Sequence, residues 1–302
     1  MPREVDLLVN PTAGRGRARH LVEPVTARLR ELGCAVRVLT AESPKHADRL
    51  ASEAVDRRTE VLAVLGGDGT CHLALQHLAG SPSMLGVIPA GTGNDLQASV
   101  GGPADPLRAA ETVAIGEPRI IDLGRTADTW WATVLCAGFD SRINERANRL
   151  RWPRGRRRYD LAILIELARL RALPATVTVD GHRWRGPVTM VSVGNGPSYG
   201  GGQLICPDAR PDDGLLDVAV VQPLSRLDVA RLKPKLATGE LGDHPAVLRW
   251  RAREVRLEVA GTIAYADGER VGPLPLSITN VPGALRVLAP LPSRPCPDPV
   301  GT

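Results

Sequence analysis

Two aspartates stand in glycine-rich surroundings that leave room for a ligand: Asp68 in Gly66-Gly67-Asp68-Gly69-Thr70 and Asp95 in Gly91-Thr92-Gly93-Asn94-Asp95. Glycine reaches positive φ and lets backbone N–H groups come close to an anion. A carboxylate beside a polyphosphate repels it unless a divalent cation or a cationic side chain lies between them. The pairing therefore points to a magnesium-bound nucleotide, with Arg15 in the earlier stretch Asn10-Pro11-Thr12-Ala13-Gly14-Arg15-Gly16 as the candidate cation. Helix capping is an alternative use of Asp95. Neither GxxxxGK[ST] nor GxGxxG with a ribose-binding acid downstream is present.

The elements that must position these residues are legible around them. Val61-Leu62-Ala63-Val64-Leu65 reads as a strand buried on both faces, and Leu73, Leu75 and Leu78 then follow at helical spacing. Residues 4–10 read as a first strand, the run Leu21, Val25, Leu29, Leu32 as a helix ending at Gly33, residues 35–39 as a second strand and 44–57 as a second helix. Residues 84–88 form another strand before Gly91. Strands alternating with helices predict a parallel sheet covered on both faces, whose strand-to-helix turns converge at the carboxyl edge where ligands bind. Beyond Ile121-Asp122-Leu123-Gly124 the texture changes to strand-like runs at 130–138, 175–180, 187–193, 215–221, 253–259, 262–267 and 284–289, the pattern of an antiparallel β-domain.

Composition narrows the class. The 302 residues, 43% hydrophobic and 24% charged, are ordinary for a globular chain of about two domains. No run approaches the roughly 18 apolar residues of a membrane span, and no signal segment is read at the start. Five scattered cysteines without a CxxC pair favour a reduced, cytoplasmic chain without structural zinc. The net charge of +5, carried by 35 arginines and only three lysines, is compatible with an anionic partner without choosing one. A nucleic-acid partner is not expected, since no aromatic stacking platform or reading helix is evident. The six histidines form no constellation, and His72 and His77, five apart, are read as incidental.

Taken together, these motifs resemble the diacylglycerol kinase catalytic family, which includes bacterial lipid kinases and sphingosine kinases. The likeness begins at Asn10-Pro11-Thr12-Ala13-Gly14 and runs through the two glycine loops and Ile121-Asp122-Leu123-Gly124. It continues through Gly200-Gly201-Gly202 with Pro207, Ala209, Asp213-Gly214 and Leu216-Asp217 to Ala266-Asp267-Gly268-Glu269, in order over nearly the whole chain. NAD kinases and 6-phosphofructokinases share the first glycine loop but not the series. The resemblance implies an α/β + β architecture: an N-terminal doubly wound α/β nucleotide-binding domain (1–124), a C-terminal β-sandwich lipid-substrate domain (125–290) whose last strand can return to the first, and a Pro-rich tail (291–302).

It also implies an ATP- and Mg2+-dependent lipid kinase, converting diacylglycerol to phosphatidic acid, with the active site between the domains. The nucleotide would meet Asn10, Thr12, Gly14, Arg15, Gly66, Gly67, Asp68, Gly69, Thr70, Gly91, Thr92, Gly93, Asn94, Asp95 and Asp122. Asp267 matches the general base, with Asp68 and Glu269 beside it in the catalytic set. Asp213 and Asp217, with carbonyls near Arg210 and Leu215, resemble a divalent-cation loop. In this chain Leu73 stands where the family usually carries an acid, and Arg15 where bacterial members carry a lysine.

The residues keep their own readings beside this. A carboxylate such as Asp267 can accept the proton of an attacking hydroxyl, and Asp267-Gly268-Glu269 can equally be a hairpin turn. The acidic loop Asp208, Asp212, Asp213, Asp217 can hold a hard cation or be a solvated turn. The basic, aromatic segment 151–159 next to apolar residues 161–165 can touch an anionic membrane surface or border a core helix, and Arg158 can reach the phosphates. The partners expected are a lipid substrate, an anionic membrane surface and a second copy in a homodimer, in a cytoplasmic, peripherally membrane-associated protein. The alternatives are an NAD kinase-like small-molecule kinase and a non-catalytic nucleotide- or membrane-binding module.

Overall fold

The computed structural model describes residues 2–150, 152–153, 156–240 and 244–291. Its first half runs β1 (Glu4–Val9), a 3-10 turn (Ala13–Gly16), α1 (Arg17–Glu31), β2 (Ala35–Thr40), α2 (Pro44–Asp56), β3 (Val61–Gly66), α3 (Asp68–Leu78), β4 (Met84–Pro89), α4 (Asp95–Ser99) and α5 (Pro106–Ile115). β1 pairs in parallel with β2 and β3, and β3 with β4. Side-chain alternation divides the interior in two. Val5, Leu7, Val61, Ala63 and Leu65 join Val25, Leu29 and Val113 of α1 and α5. Leu8, Leu62 and Val64 join Ala47, Ala51, Leu75 and Leu78 of α2 and α3 on the other face. Each such side chain removed from water contributes roughly 1.5–3 kcal/mol before chain entropy is set against it.

Local signals set the helix ends. Ser43 accepts the His46 N–H ahead of Pro44 to open α2, and Asp105 accepts the Leu107 and Arg108 N–H groups ahead of Pro106 to open α5. Gly33, with φ at +86°, follows the end of α1.

The second half runs β5 (Glu117–Thr126), β6 (Thr129–Trp131), β7 (Val134–Gly138), α6 (Phe139–Arg149), α7 (Arg156–Ala168), β8 (Leu173–Val179), β9 (His182–Val188), β10 (Met190–Gly194), β11 (Ser198–Tyr199), β12 (Gln203–Leu204), β13 (Leu216–Val221), α8 (Arg226–Leu232), a 3-10 turn (Lys233–Ala237), β14 (Val247–Ala252), β15 (Glu254–Val259), β16 (Ile263–Ala266), β17 (Glu269–Pro273) and β18 (Leu276–Ala289). A six-stranded antiparallel sheet has the order β14-β13-β10-β7-β16-β17. It packs on β15 and β8 of the larger sheet around Leu135, Val177, Val191, Val218, Leu257 and the buried Trp131, which makes the second half a β-sandwich.

The larger sheet, β2-β1-β3-β4-β18-β15-β8-β9 with β5 and β6 beside β18, is shared by both halves. β18 pairs with β15 near its start and reaches β4 at Val287.

Of the strands that the sequence reading lacks, β9, β14 and β17 lie at sheet edges, and β11 and β12 form a separate two-residue pair. Edge strands meet water on one side and carry charge there, as in the alternating arginines of β9 and β14, so their apolar signal is diluted. The run expected over 130–138 is broken, with β6 in one sheet and β7 in the other. At the crossing, the Ala132 and Thr133 N–H groups turn to a side chain.

Candidate active site

Three strand-to-helix turns meet at the carboxyl edge of the parallel sheet. Gly14, at φ +58°, lies so close to the Ala90 carbonyl that an added Cβ would stand 2.1 Å from it. A Cβ on Gly91 would stand 2.6 Å from the Gly67 Cα. The two later loops are therefore in backbone contact, and only glycine permits it. Asn10 ties the first turn to the second by donating to Thr70 Oγ1 at 3.1 Å while accepting from the Thr12 N–H and hydroxyl. Asn94, itself at φ +61°, braces its own loop through Gly91 and donates its N–H to Asp68 Oδ2 at 2.6 Å. Gly66 and Gly69 pack under Thr70 and Glu269 respectively. Gly14, Arg15, Asp68, Thr92, Gly93 and Asp95 line one end of a single cavity of about 970 Å³. Arg15 holds a left-handed backbone, φ +61°, which costs a non-glycine residue on the order of 1 kcal/mol.

The three aspartates expected at the nucleotide, Asp68, Asp95 and Asp122, do different things. Asp68 is the one whose carboxyl is pushed up, to about 6, by burial and by the charge of Asp95, with the Asn94 N–H working against them. Asp95 is a clamp: it accepts the Ser198 hydroxyl at 3.1 Å and the Gly201 and Gly202 N–H groups at 2.8 Å each. Asp122 lies outside the residues lining the cavity and accepts the Gly214 and Gly283 N–H groups at 2.7 and 2.9 Å. Asp95 thus fastens a loop of the second half to the glycine loops of the first, a role outside both readings of it, cap or ligand, while Asp122 fastens the loops at Gly214 and Gly283 to β5.

Asp267 occupies the two-residue turn between β16 and β17, with φ at +51° and Gly268 at +82°, the backbone of a tight hairpin. The hairpin turn weighed in the sequence reading is present, and it carries the Asp267 carboxylate to the cavity. The side chain is turned inward, 5% exposed, and lines the cavity. Its Oδ1 accepts the Thr133 N–H at 2.8 Å and hydroxyl at 2.6 Å; its Oδ2 accepts the Ala132 N–H at 3.0 Å and faces His72 Nδ1 at 3.2 Å. Burial would raise this carboxyl, but the bond and charge of His72, with Thr133 and Ala132, outweigh it and hold it below the usual carboxylate range. Glu269 is exposed and lies against Gly69 outside the cavity lining.

His72 corrects the sequence reading. It is not incidental: its buried imidazole contacts Asp267 across 195 residues of chain. His77, by contrast, meets Asp48 on the half-exposed side of α3.

Past Asp267 the cavity becomes apolar, lined by Phe139, Ile143, Ile163, Met190, Val221 and Leu224 among others from α6, α7 and the β-sandwich. Polar groups stand among them, one pair in particular. The Tyr199 hydroxyl donates to Asp140, whose carboxyl burial pushes up to about 6 against the pull of Tyr199 and Lys233. Lys233 lines the same region, and Arg158 lines the cavity with its Nε buried and without a hydrogen-bond partner. No residue-type pattern in the sequence marks Asp140 or Tyr199, because their partnership exists only once β11 lies over α6.

The acidic loop expected to hold a divalent cation is closed by protein groups. Arg251 of β14 pairs with Asp213 and lies 3.5 Å from Asp217, Arg119 pairs with Asp212 at 2.7 Å, and the Leu215 carbonyl accepts from Asn280. Arg210 is 3.7 Å from Asp212. Guanidinium groups thus lie on these carboxylates, and among the described residues no group of three or more His, Cys, Asp or Glu side chains is arranged to hold a metal.

The sequence profile described as the diacylglycerol kinase catalytic domain matches residues 4–126, and that of the YegS C-terminal NAD kinase beta sandwich-like domain matches residues 133–289. The chain is 43% identical over 294 residues to a diacylglycerol kinase of Mycobacterium tuberculosis, covering 95% of each. The chain belongs to the diacylglycerol kinase catalytic-domain family. As a member, it is a kinase of the lipid-kinase class. It is also 33% identical over 258 residues to a Stenotrophomonas maltophilia protein named "Probable lipid kinase YegS-like", with 81% of this chain and 83% of that one covered. A crystal structure of a diacylglycerol kinase from Bacillus anthracis shares the fold, with a TM-score of 0.73 at 20% identity over 95% of this chain and 97% of that one.

Proposed function

We propose that the protein transfers the γ-phosphoryl of Mg-ATP to the free hydroxyl of diacylglycerol, giving phosphatidic acid. The observation that carries this reading is the continuity of the cavity. Glycine loops, Arg15 and Asp68 form one end, Asp267 stands between, and an apolar chamber follows. A polar head is thereby brought to the phosphates while acyl chains stay among Ile143, Met190 and Val221.

In this reading the loop backbone and Arg15 receive the phosphates, and the ionised Asp68 favours a nucleotide that brings its own magnesium over one that does not. The acceptor oxygen bonds to the γ-phosphorus, the bond from that phosphorus to the β-bridging oxygen breaks, and ADP leaves with the electron pair. The acceptor proton passes to Asp267. A carboxylate held below its ordinary range is a weak base. Phosphoryl transfer depends mostly on positioning and charge, so a weak but fixed base is adequate. Asp140 and Tyr199, buried at the border of the apolar chamber, are suited to orient the glycerol and ester groups.

Access to lipid requires a membrane surface. Trp152, 79% exposed, precedes α7, and the exposed Arg157 and Leu164, the latter 63% exposed, are on that helix, which also lines the chamber. They support docking on an anionic bilayer from the cytoplasmic side, and no helix among the described residues is long and apolar enough to cross one. Purified protein with Mg-ATP and mixed micelles should phosphorylate diacylglycerol; labelling of NAD with no labelled lipid would overturn the proposal.

A further inference from the structure

His72 is held from both sides. Its Nδ1 faces Asp267 Oδ2 at 3.2 Å, and its Nε2 lies 3.5 Å from Gln76 Nε2. The orientation of the Gln76 amide is fixed by Trp130, whose N–H it accepts at 3.0 Å and whose carbonyl it donates to at 2.8 Å. The nitrogen of that amide, not its oxygen, therefore faces the imidazole. Both hydrogens of that amide are taken, by the Trp130 carbonyl at 2.8 Å and the His72 carbonyl at 2.9 Å, so it is the Asp267 carboxylate, an acceptor 3.2 Å from Nδ1, that sets the ring proton on Nδ1.

Asp267 then has four donors on two oxygens. The N–H groups of Ala132 and Thr133 belong to the crossing between sheets and are immobile. The Thr133 hydroxyl can rotate away to admit an acceptor hydroxyl. His72 is the remaining side-chain donor, and it stays.

We infer that His72 is a positioning residue of the phosphoryl transfer: its imidazole completes the donor set that orients the Asp267 carboxylate and keeps it ionised for the acceptor proton. This rests on the reading of Asp267 as the proton acceptor. The charged groups facing the imidazole are Asp267 and Glu269 from the β16–β17 hairpin, while the β6–β7 crossing presents only the uncharged Trp130, Ala132 and Thr133. Burial works against a charged imidazole, and the bond and charge of Asp267 with the charge of Glu269 overcome it, raising the His72 pKa. Asp68, one turn back on α3, bears on the same region through its repulsion with Asp267.

The test compares His72→Leu, which removes the donor, with His72→Asn, whose amide can donate from near the Nδ1 position without titrating. His72→Leu should lower kcat roughly tenfold, the equivalent of about one pKa unit of lost carboxylate stabilisation, with the KM for ATP unchanged. Its acid limb in kcat should move to higher pH. His72→Asn should recover most of the rate. Independently of activity, the imidazole signal of His72 in an NMR titration should show a raised pKa that drops in Asp267→Asn. Wild-type kcat with an unmoved acid limb in His72→Leu, or an imidazole pKa indifferent to Asp267→Asn, overturns the inference. If His72→Leu fails to fold, the NMR comparison decides alone. Should Asp267→Asn retain the wild-type rate, it is the assignment of Asp267 as proton acceptor that fails, whatever His72 does.

Discussion

The Gly201 N–H donates to Asp95 at 2.8 Å, and this bond joins the two glycine-rich halves of the site. Gly202 and Ser198 complete the set on the same carboxylate, which is 5% exposed. Asp95 thereby fixes where the Gly200–Gly202 loop lies over the end of the cavity lined by the glycine loops.

Replacing one oxygen of that clamp is the first test. Asp95→Asn puts an NH2 group of a buried side chain against an N–H of the Gly200–Gly202 loop, which costs about 1–3 kcal/mol. Denaturant melts should show that loss, and the KM for ATP should rise with it. Unchanged stability would contradict the clamp.

Asp68 makes a prediction with a definite sign. Burial and the charge of Asp95 push its carboxyl up to about 6 in the folded protein, from the ordinary aspartate value of 3.8. Below pH 3.8 it is protonated in both folded and unfolded states and contributes nothing. Between those values a penalty for ionisation grows, and above pH 6 it is complete, on the order of 2–3 kcal/mol. Asp68→Asn should therefore be more stable than wild type at pH 8 and equal to it at pH 4. For the wild-type enzyme, kcat/KM for Mg-ATP should fall as pH drops through about 6. A variant less stable at pH 8 would refute the burial argument.

The apolar chamber predicts a selective effect. Ile143 lines it and is 8% exposed. Ile143→Trp should lower kcat/KM for long-chain diacylglycerol roughly tenfold or more while sparing a short-chain acceptor, as filling a hydrophobic pocket is worth about 1–3 kcal/mol. Equal losses on both acceptors would place the acyl chains elsewhere.

Arg251 predicts independence from a structural metal. Because its guanidinium lies on Asp213 and near Asp217, chelation by EDTA in the absence of nucleotide should leave the Tm unchanged. Arg251→Ala leaves neighbouring carboxylates uncompensated, so its Tm should fall and should partly recover with added Mg2+ or Ca2+. A wild-type Tm that drops in EDTA contradicts this.

Much of this arrangement was legible beforehand, and the gaps have physical causes. A strand buried on both faces and stopped by Gly66-Gly67-Asp68-Gly69 announces a strand–turn–helix, because few residue types satisfy that backbone. The edge strands β9, β14 and β17 were not legible, since half of each faces water. His72 reads as incidental in the sequence because its partner lies 195 residues away, and helical spacing reports only neighbours on the same helix. Asp122, grouped by resemblance with nucleotide contacts, spends its oxygens on Gly214 and Gly283 instead. Residue type announces an acid, but only the fold says which N–H groups reach it. The basic segment read at 151–159 falls partly outside the described residues, as does the Pro-rich tail from 292 onward.

The most direct measurement supplies the protein with Mg-ATP labelled in the γ-phosphoryl and with diacylglycerol in mixed micelles, for wild type and Asp267→Asn. Labelled phosphatidic acid should form with wild type and fall about 10²-fold or more in the variant, with the KM for ATP little changed. Equal rates for the two proteins, or no labelled lipid from either, would contradict a kinase cleft built around Asp267.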